Sequence, residues 1–237
     1  MLFISPPFGN YLELPYTRSI KGSFTLQKRD GLLFQIISTL RYSFEYGGWK
    51  NKIGLRNNGI DWAINKYRYS NSIISIAILD KEEIPPLLEK IPPDMDLEIN
   101  ISCPNIQHSL VSDNIHLFIN PDRKWCSIKL SPTTDICLID KYYQQGFRKF
   151  HFSNTFSTSS GGISGPYLIP YTSKLITLVK NKYPDSEIIA GGGIRSMDTI
   201  NIYKNLGASH FSISTLLFNP LLFSTFYYQF YRDLKKH

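Results

Sequence analysis

A chain of 237 residues that is 42% hydrophobic and 14% aromatic carries enough apolar material for a sizeable core, which excludes general disorder. Its net charge of +7 would suit an anionic partner, but the basic residues are dispersed. Arg148/Lys149, Lys174/Lys180/Lys182 and Lys235/Lys236 sit at ends or outer faces of amphipathic segments, as a solvated surface does and a nucleic-acid interface does not. Three cysteines, Cys103, Cys126 and Cys137, form no C-x-x-C pair. No apolar run approaches the roughly 18 residues of a membrane span, and the N-terminus lacks a signal-peptide pattern, so a cytoplasmic protein with reduced thiols and no membrane partner is expected.

Eight short runs, rich in β-branched and aromatic residues, read as strands: Leu2–Ser5, Ser19–Leu26, Ile73–Ile78, Leu97–Ser102, Cys126–Leu130, Lys149–Ser153, Glu187–Ala190 and His210–Ser214. Several are apolar on both faces, as strands are when helices cover one side and a barrel interior the other. Between the first two, "PPFGNYLELPYTR" has too many prolines for a covering helix. Residues 31–72 read as an excursion with a helix at Leu32–Tyr42 and another from Ile60. Between Asn105 and Cys126 there is room for one or two helical turns, from Ser112 or Asp113.

The second half is better punctuated. Gly146 ends a helix running from about Asp135, Pro170 opens one whose Leu175, Ile176, Val179 and Tyr183 share a face, and Ser196 starts another that stops at Gly207. Asn219-Pro220 supplies an N-cap and an N1 proline before Leu222, Phe223, Phe226, Tyr227, Phe230, Tyr231 and Leu234, which recur at helical spacing. Regular alternation of strand and helix predicts one α/β domain over residues 1–237, a (β/α)8 TIM barrel with abbreviated early crossovers.

Active sites of such barrels lie at the C-terminal strand ends. Here those ends read "NISCPN", "KLSP", "SNT", "GGG" and "ST". Gly191-Gly192-Gly193 followed by Ser214-Thr215 at the next strand end suits a phosphate, which needs close approach to backbone N–H groups. "SSGGISGP" at residues 159–166 reads as a further glycine cradle. Lys129 is the only charge in an apolar strand and needs a partner, which a bound cofactor's electron-rich ring or hydroxyls would supply; the alternative is an edge lysine reaching water.

Taken together, "TLQKRDG" (25–31), "NKIGLRNNG" (51–59), "EINISCPN" (98–105), "IKLSP" (128–132), "NT" (154–155), "GGISGP" (161–166) and "GGGI" with a later "GA" (191–194, 207–208) resemble the dihydroorotate dehydrogenases. That family consists of FMN-dependent (β/α)8 barrels, and the likeness spans nearly the whole chain. The resemblance implies that Asn51, Asn100, Asn105 and Asn154 hydrogen-bond the pyrimidine ring, with Gly54 and Leu55 giving backbone contacts and Thr155 beside Asn154. Cys103 matches the base of the soluble class. Lys129 matches the lysine that contacts the flavin, and Gly165, Gly192, Gly193 and Thr215 match positions around FMN and its phosphate. Ser214 stands where the family has a glycine near that phosphate.

The implied reaction is oxidation of dihydroorotate to orotate in pyrimidine biosynthesis, with hydride passing to the flavin. Dihydroorotate is the expected small-molecule partner, and a homodimer is open as an assembly state. Alignment on "TLQKRDG" places Gly22 where the family has a lysine that touches flavin and substrate. Lys21 is one residue away, on the opposite face of a strand. That loss motivates a second expectation from another class: a catalytically inactive barrel with a structural or interaction role.

Overall fold

The computed structural model describes residues 1–101 and 113–235. Eight parallel strands close a barrel: β1 (Leu2–Ile4), β2 (Thr17–Phe24), β5 (Ile73–Ile76), β6 (Leu97–Asn100), β7 (Cys126–Leu130), β8 (Lys149–Phe152), β11 (Glu187–Gly191) and β12 (His210–Ile213). They neighbour one another in chain order, and β1 pairs with both β2 and β12. These are the eight predicted strands, with ends moved by up to two residues: β2 begins earlier, at Thr17, and β11 runs on to Gly191, while most others end sooner.

Seven α-helices occur among the described residues: α1 (Leu32–Thr39), α2 (Ile60–Tyr67), α3 (Ile84–Lys90), α4 (Ile136–Gln144), α5 (Ile169–Lys182), α6 (Met197–Asn205) and α7 (Pro220–Leu234). Their boundaries follow local chemistry. Asp135 Oδ1 accepts the Cys137 N–H at 2.7 Å to start α4, and Asn219 Oδ1 accepts the Leu222 N–H at 3.1 Å to start α7, with Pro220 at N1. The first crossover is abbreviated as expected. A 3-10 turn, Phe8–Asn10, stands between β1 and β2, and another, Ile115–Phe118, lies between β6 and β7.

Strand parity divides the side chains. Leu2, Ile4, Ile74, Ile76, Leu97, Ile99, Ile128, Leu130, Phe150, Phe152, Ile188 and Ala190 face outward into the main core shared with the helices. Phe3, Ile20, Ile73, Trp125 and Ile189 face inward and fill the lower barrel. Burying a side chain of this size contributes about 1.5–3 kcal/mol, so this apolar plug anchors the polar layer above it.

The excursion contains more structure than its sequence suggests. The predicted helix stops at Thr39 because Arg41–Ser43 (β3) pairs antiparallel with Gly48–Asn51 (β4) around Gly47, whose φ is 56°. The glycine segment predicted as a cofactor cradle is itself a strand. Gly161–Ser164 (β10) pairs with β4 and with Phe156–Thr158 (β9), making a second sheet of order β3-β4-β10-β9. Glycine is needed there for close approach: a Cβ on Gly161 would lie 2.6 Å from Asn51 O, and one on Gly162 would lie 2.6 Å from Thr155 Oγ1. No residue of α1 is buried, and Leu33, Phe34 and Ile37 are exposed.

Candidate active site

At the C-terminal ends of the strands a cleft is lined by Lys129 from β7, Ser153, Asn154 and Thr155 after β8, Gly165 after β10, Gly191 to Gly193 at β11, and Ser214 and Thr215 after β12. The structure thus brings Lys129, Asn154, Thr155, Gly165, Gly192, Gly193, Ser214 and Thr215 together. Gly54 and Leu55 line a different cavity, of about 340 Å3, with Arg29, Lys52 and Arg56. Asn51 ends β4, its side-chain oxygen accepting the Ile53 N–H at 3.3 Å. Cys103 and Asn105 lie outside the described residues.

Two features of the cleft favour an anion. Gly192 and Gly193 have φ of 83° and 79°, conformations that need glycine, and neither N–H donates to a protein acceptor among the described residues. Nor does the N–H of Thr215, which opens a 3-10 turn without a side-chain cap. Lys129 is 9% exposed and makes no ion pair within 4 Å among the described residues. Two hydrogen bonds tie the first strand end to the last beside these groups: Ser5 Oγ to Ser212 Oγ at 2.6 Å, and Ser214 Oγ donating to Pro6 O at 2.8 Å.

Below the cleft lies a polar layer inside the barrel. Glu98 on β6 is fully buried, its Oε2 2.6 Å from His151 Nδ1 on β8 and its Oε1 accepting from Ser75 Oγ at 3.0 Å. Ser75 continues to Ser23 Oγ at 2.8 Å, and Ser23 accepts from Asn100 Nδ2 at 2.8 Å. Asn100, predicted to hold substrate, is therefore also part of this internal network. Burial pushes the Glu98 carboxyl upward, but the contact with the His151 ring, the nearby Lys129 and the hydrogen bonds from His151 and Ser75 outweigh it and hold the group below its ordinary 4.5. Burial, the largest influence on His151, holds the imidazole below its ordinary 6.5 despite the Glu98 carboxylate. The layer is thus an ammonium, a carboxylate and a neutral imidazole donating from Nδ1, with Glu98 the counter-charge that the lysine's sequence position called for.

This arrangement makes the fold acid-labile. The unfolded chain takes up a proton on this histidine below about pH 6.5 and on this glutamate below about 4.5, whereas the folded chain resists both. Stability is therefore present above those values and lost as pH falls through them toward the folded-state pKa values. Melting temperature should fall from pH 7 to 4, and His151→Phe should flatten the upper part of that fall. A flat wild-type profile would contradict the charge assignment.

Residue-level reading had not singled out Glu98 or His151. The available signal was parity and register: Glu98 is two residues before Asn100 on β6, and Asn100, Lys129 and His151 align across β6, β7 and β8, so all four face inward. The departure at the second strand is resolved as well. The β2–β5 register shifts between Lys21 and Phe24, so Gly22 is the extra residue of a bulge and Ser23 takes the inward place. Lys21 points outward, pairing with Glu13 Oε1 at 2.9 Å and approaching the Tyr67 ring. Burial pushes the Cys126 thiol up to about 12, and the exposed Cys137 is raised by its hydrogen bond to the Asp135 side chain, so neither is poised as a base.

Among curated proteins, the catalytic subunit of dihydroorotate dehydrogenase B (NAD(+)) from Streptococcus pneumoniae is 27% identical over 257 residues, covering 90% of this chain and 80% of that protein. The same subunit from Enterococcus faecalis is 28% identical, covering 89% and 77%. The chain is a divergent relative of the dihydroorotate dehydrogenases. The fold agrees: a solved dihydroorotate dehydrogenase from Eimeria tenella, in complex with ferulenol, superposes with a TM-score of 0.66 at 16% identity, covering 87% of this chain and 71% of that one. No family model matches the chain. The chain is a (β/α)8 barrel whose first crossover holds a 3-10 turn, Phe8–Asn10. No described helix is long and apolar enough to cross a membrane.

Proposed function

We propose that the chain is an FMN-dependent dihydroorotate dehydrogenase that oxidises dihydroorotate to orotate for pyrimidine biosynthesis in the cytoplasm. The observation that carries this reading is the convergence of Lys129 and Asn154 with the N–H groups of Gly192, Gly193 and Thr215 in one cleft at the strand ends. That donor set fits FMN: backbone N–H groups of Gly192, Gly193 and Thr215 that find no acceptor among the described residues suit a phosphate monoester, and the buried Lys129 side chain suits the electron-rich edge of a ring. The described part of the cleft encloses about 100 Å3, so a ligand of several hundred Å3 is only partly enclosed by it.

In this reading Gly165, Gly192, Gly193, Ser214 and Thr215 hold the phosphate end, and Lys129 holds the ring. Bound FMN supplies the hydride acceptor. The chain's own residues do the rest. Asn51, Asn100, Asn105 and Asn154 present amides, each with donor and acceptor, to a pyrimidine dione, with Thr155 alongside; Gly54 and Leu55, which line a separate cavity, are left out of this contact. Cys103 takes the proton from C5 as thiolate. Cys126 is held protonated by burial, and Cys137 is an exposed thiol on α4 that does not line the cleft.

The experiment is a visible absorption spectrum of the purified protein, before and after dihydroorotate. A flavin spectrum that bleaches on addition is expected, and Cys103→Ala should lower turnover by at least about a hundredfold, the scale of general-base contributions. A colourless protein that takes up no FMN would instead support the second reading, an inactive barrel with a structural role. The observation favouring that alternative is the bulge at Gly22, which leaves the second strand without an inward lysine.

A further inference from the structure

His151 is used by nothing in the function above, yet it is among the most constrained side chains in the barrel. It is 1% exposed, and its Nδ1 is 2.6 Å from Glu98 Oε2. A carboxylate only accepts, so the proton on that contact belongs to Nδ1, and in the neutral ring Nε2 carries a lone pair. Nε2 lies on the opposite edge of the imidazole, toward Gly191, where an added Cβ would stand 3.2 Å from it. His151 and Gly191 both line the cleft with Lys129 and Ser153. Nε2 makes no hydrogen bond among the described residues. Glu98 cannot turn to release the ring, since its other oxygen is held by Ser75, itself tied to Ser23 and Asn100.

We propose that His151 is a positioning residue whose Nε2, aimed by Glu98, accepts a hydrogen bond from an N–H or O–H group of the ligand bound in the cleft. This rests on the FMN reading and names a contact within it. Each strand packed around the imidazole supports the assignment. From β6 comes the Glu98 carboxylate, from β7 the Lys129 ammonium, and from β11 and β12 the uncharged Gly191 and Ser212. Among the described residues the charges facing the ring therefore balance, and a neutral acceptor is the state that fits. Protonating Nε2 would replace the acceptor with a donor and set a second cation beside Lys129. Ligand binding should weaken as pH falls.

The test has two arms. In ligand-free protein, nitrogen NMR of the histidine ring should show the Nδ1–H tautomer, and the Nε2 signal should shift on addition of FMN. An Nε2–H tautomer, or an Nε2 signal unmoved by bound FMN, overturns the proposal. In the second arm FMN affinity is followed by flavin fluorescence between pH 5.5 and 8. Wild type should bind progressively more weakly toward the acid end, by less than an unshifted imidazole would give, because burial holds His151 below its ordinary value. His151→Phe should bind about tenfold more weakly than wild type at pH 8, the scale of one lost hydrogen bond, with a flat pH profile. His151→Gln, which offers a side-chain oxygen near the Nε2 position, should recover most of the affinity, and thermal melts confirm that each variant is folded. Variants that bind FMN as wild type does at every pH would also overturn the proposal while leaving the flavin reading intact. Wild type that takes up no FMN would overturn that reading and this contact with it.

Discussion

Replacing Gly22 by lysine, the residue its relatives' pattern calls for, should destabilise the protein by about 2–6 kcal/mol rather than restore a missing contact. Gly22 has φ of 118°, and a Cβ there would stand 2.4 Å from the Ser75 carbonyl oxygen, a backbone atom that cannot swing aside. Strain at such a backbone angle costs on the order of 1–3 kcal/mol, and overpacking adds about 1–3. Its N–H is also committed, donating to Asn10 Oδ1 at 2.7 Å and tying the bulge to the 3-10 turn that replaces the first covering helix. Gly22→Ala should show most of the loss, because the first carbon makes the clash. Urea denaturation checks this: a Gly22→Lys variant with a wild-type midpoint would refute the bulge geometry. The missing lysine is thus one part of a joint change that includes the bulge, Ser23 in the inward place and Asn10 capping from above.

Glu98→Ala should cost about 2–6 kcal/mol: it strips the His151 Nδ1–H and the Ser75 hydroxyl of their acceptor, at about 1–3 kcal/mol each, and removes the carboxylate near Lys129. Against a total stability of roughly 5–15 kcal/mol for a domain, that is enough to leave a large unfolded fraction near physiological temperature. Lys129 and His151 would then face each other with no anion among the described residues at their level of the barrel. Glu98→Gln keeps the acceptor for Ser75 and should lose less stability. The midpoint difference between the two variants separates lost charge from lost hydrogen bonds. Equal stability of wild type and Glu98→Ala would show that the internal layer is not ionised.

The barrel itself was legible in the sequence because isoleucine-rich runs such as "SIISIAIL", buried on both faces, have few other homes. The cleft residues were legible as well, since glycine and amide positions at strand ends carry their reason locally. Other parts were not. The second sheet is built from strands of three and four residues, one of them "GGIS", whose glycines read as a turn until their partners on β4 and β9 are known. Helix α1 has an apolar sequence that predicts burial, yet none of its residues is buried, because neighbouring chain here forms that sheet instead of covering it. Glu98 and His151 sit on β6 and β8 with β7 between them, and their meeting across the interior depends on closure of the barrel, which no local pattern states.

The three-residue strand β1 has a consequence for how the protein is made. Leu2 pairs with Thr17 on one side and with Phe211 on the other, so one seam joins residues about two hundred positions apart. Contacts of that separation slow folding, since a long loop must close before they form. During synthesis the free edge of β1 has no partner until residues 210–213 emerge. A barrel begun at its first strand is closed only by its last, and for most of that interval it presents an open, apolar sheet edge of the kind that recruits other chains.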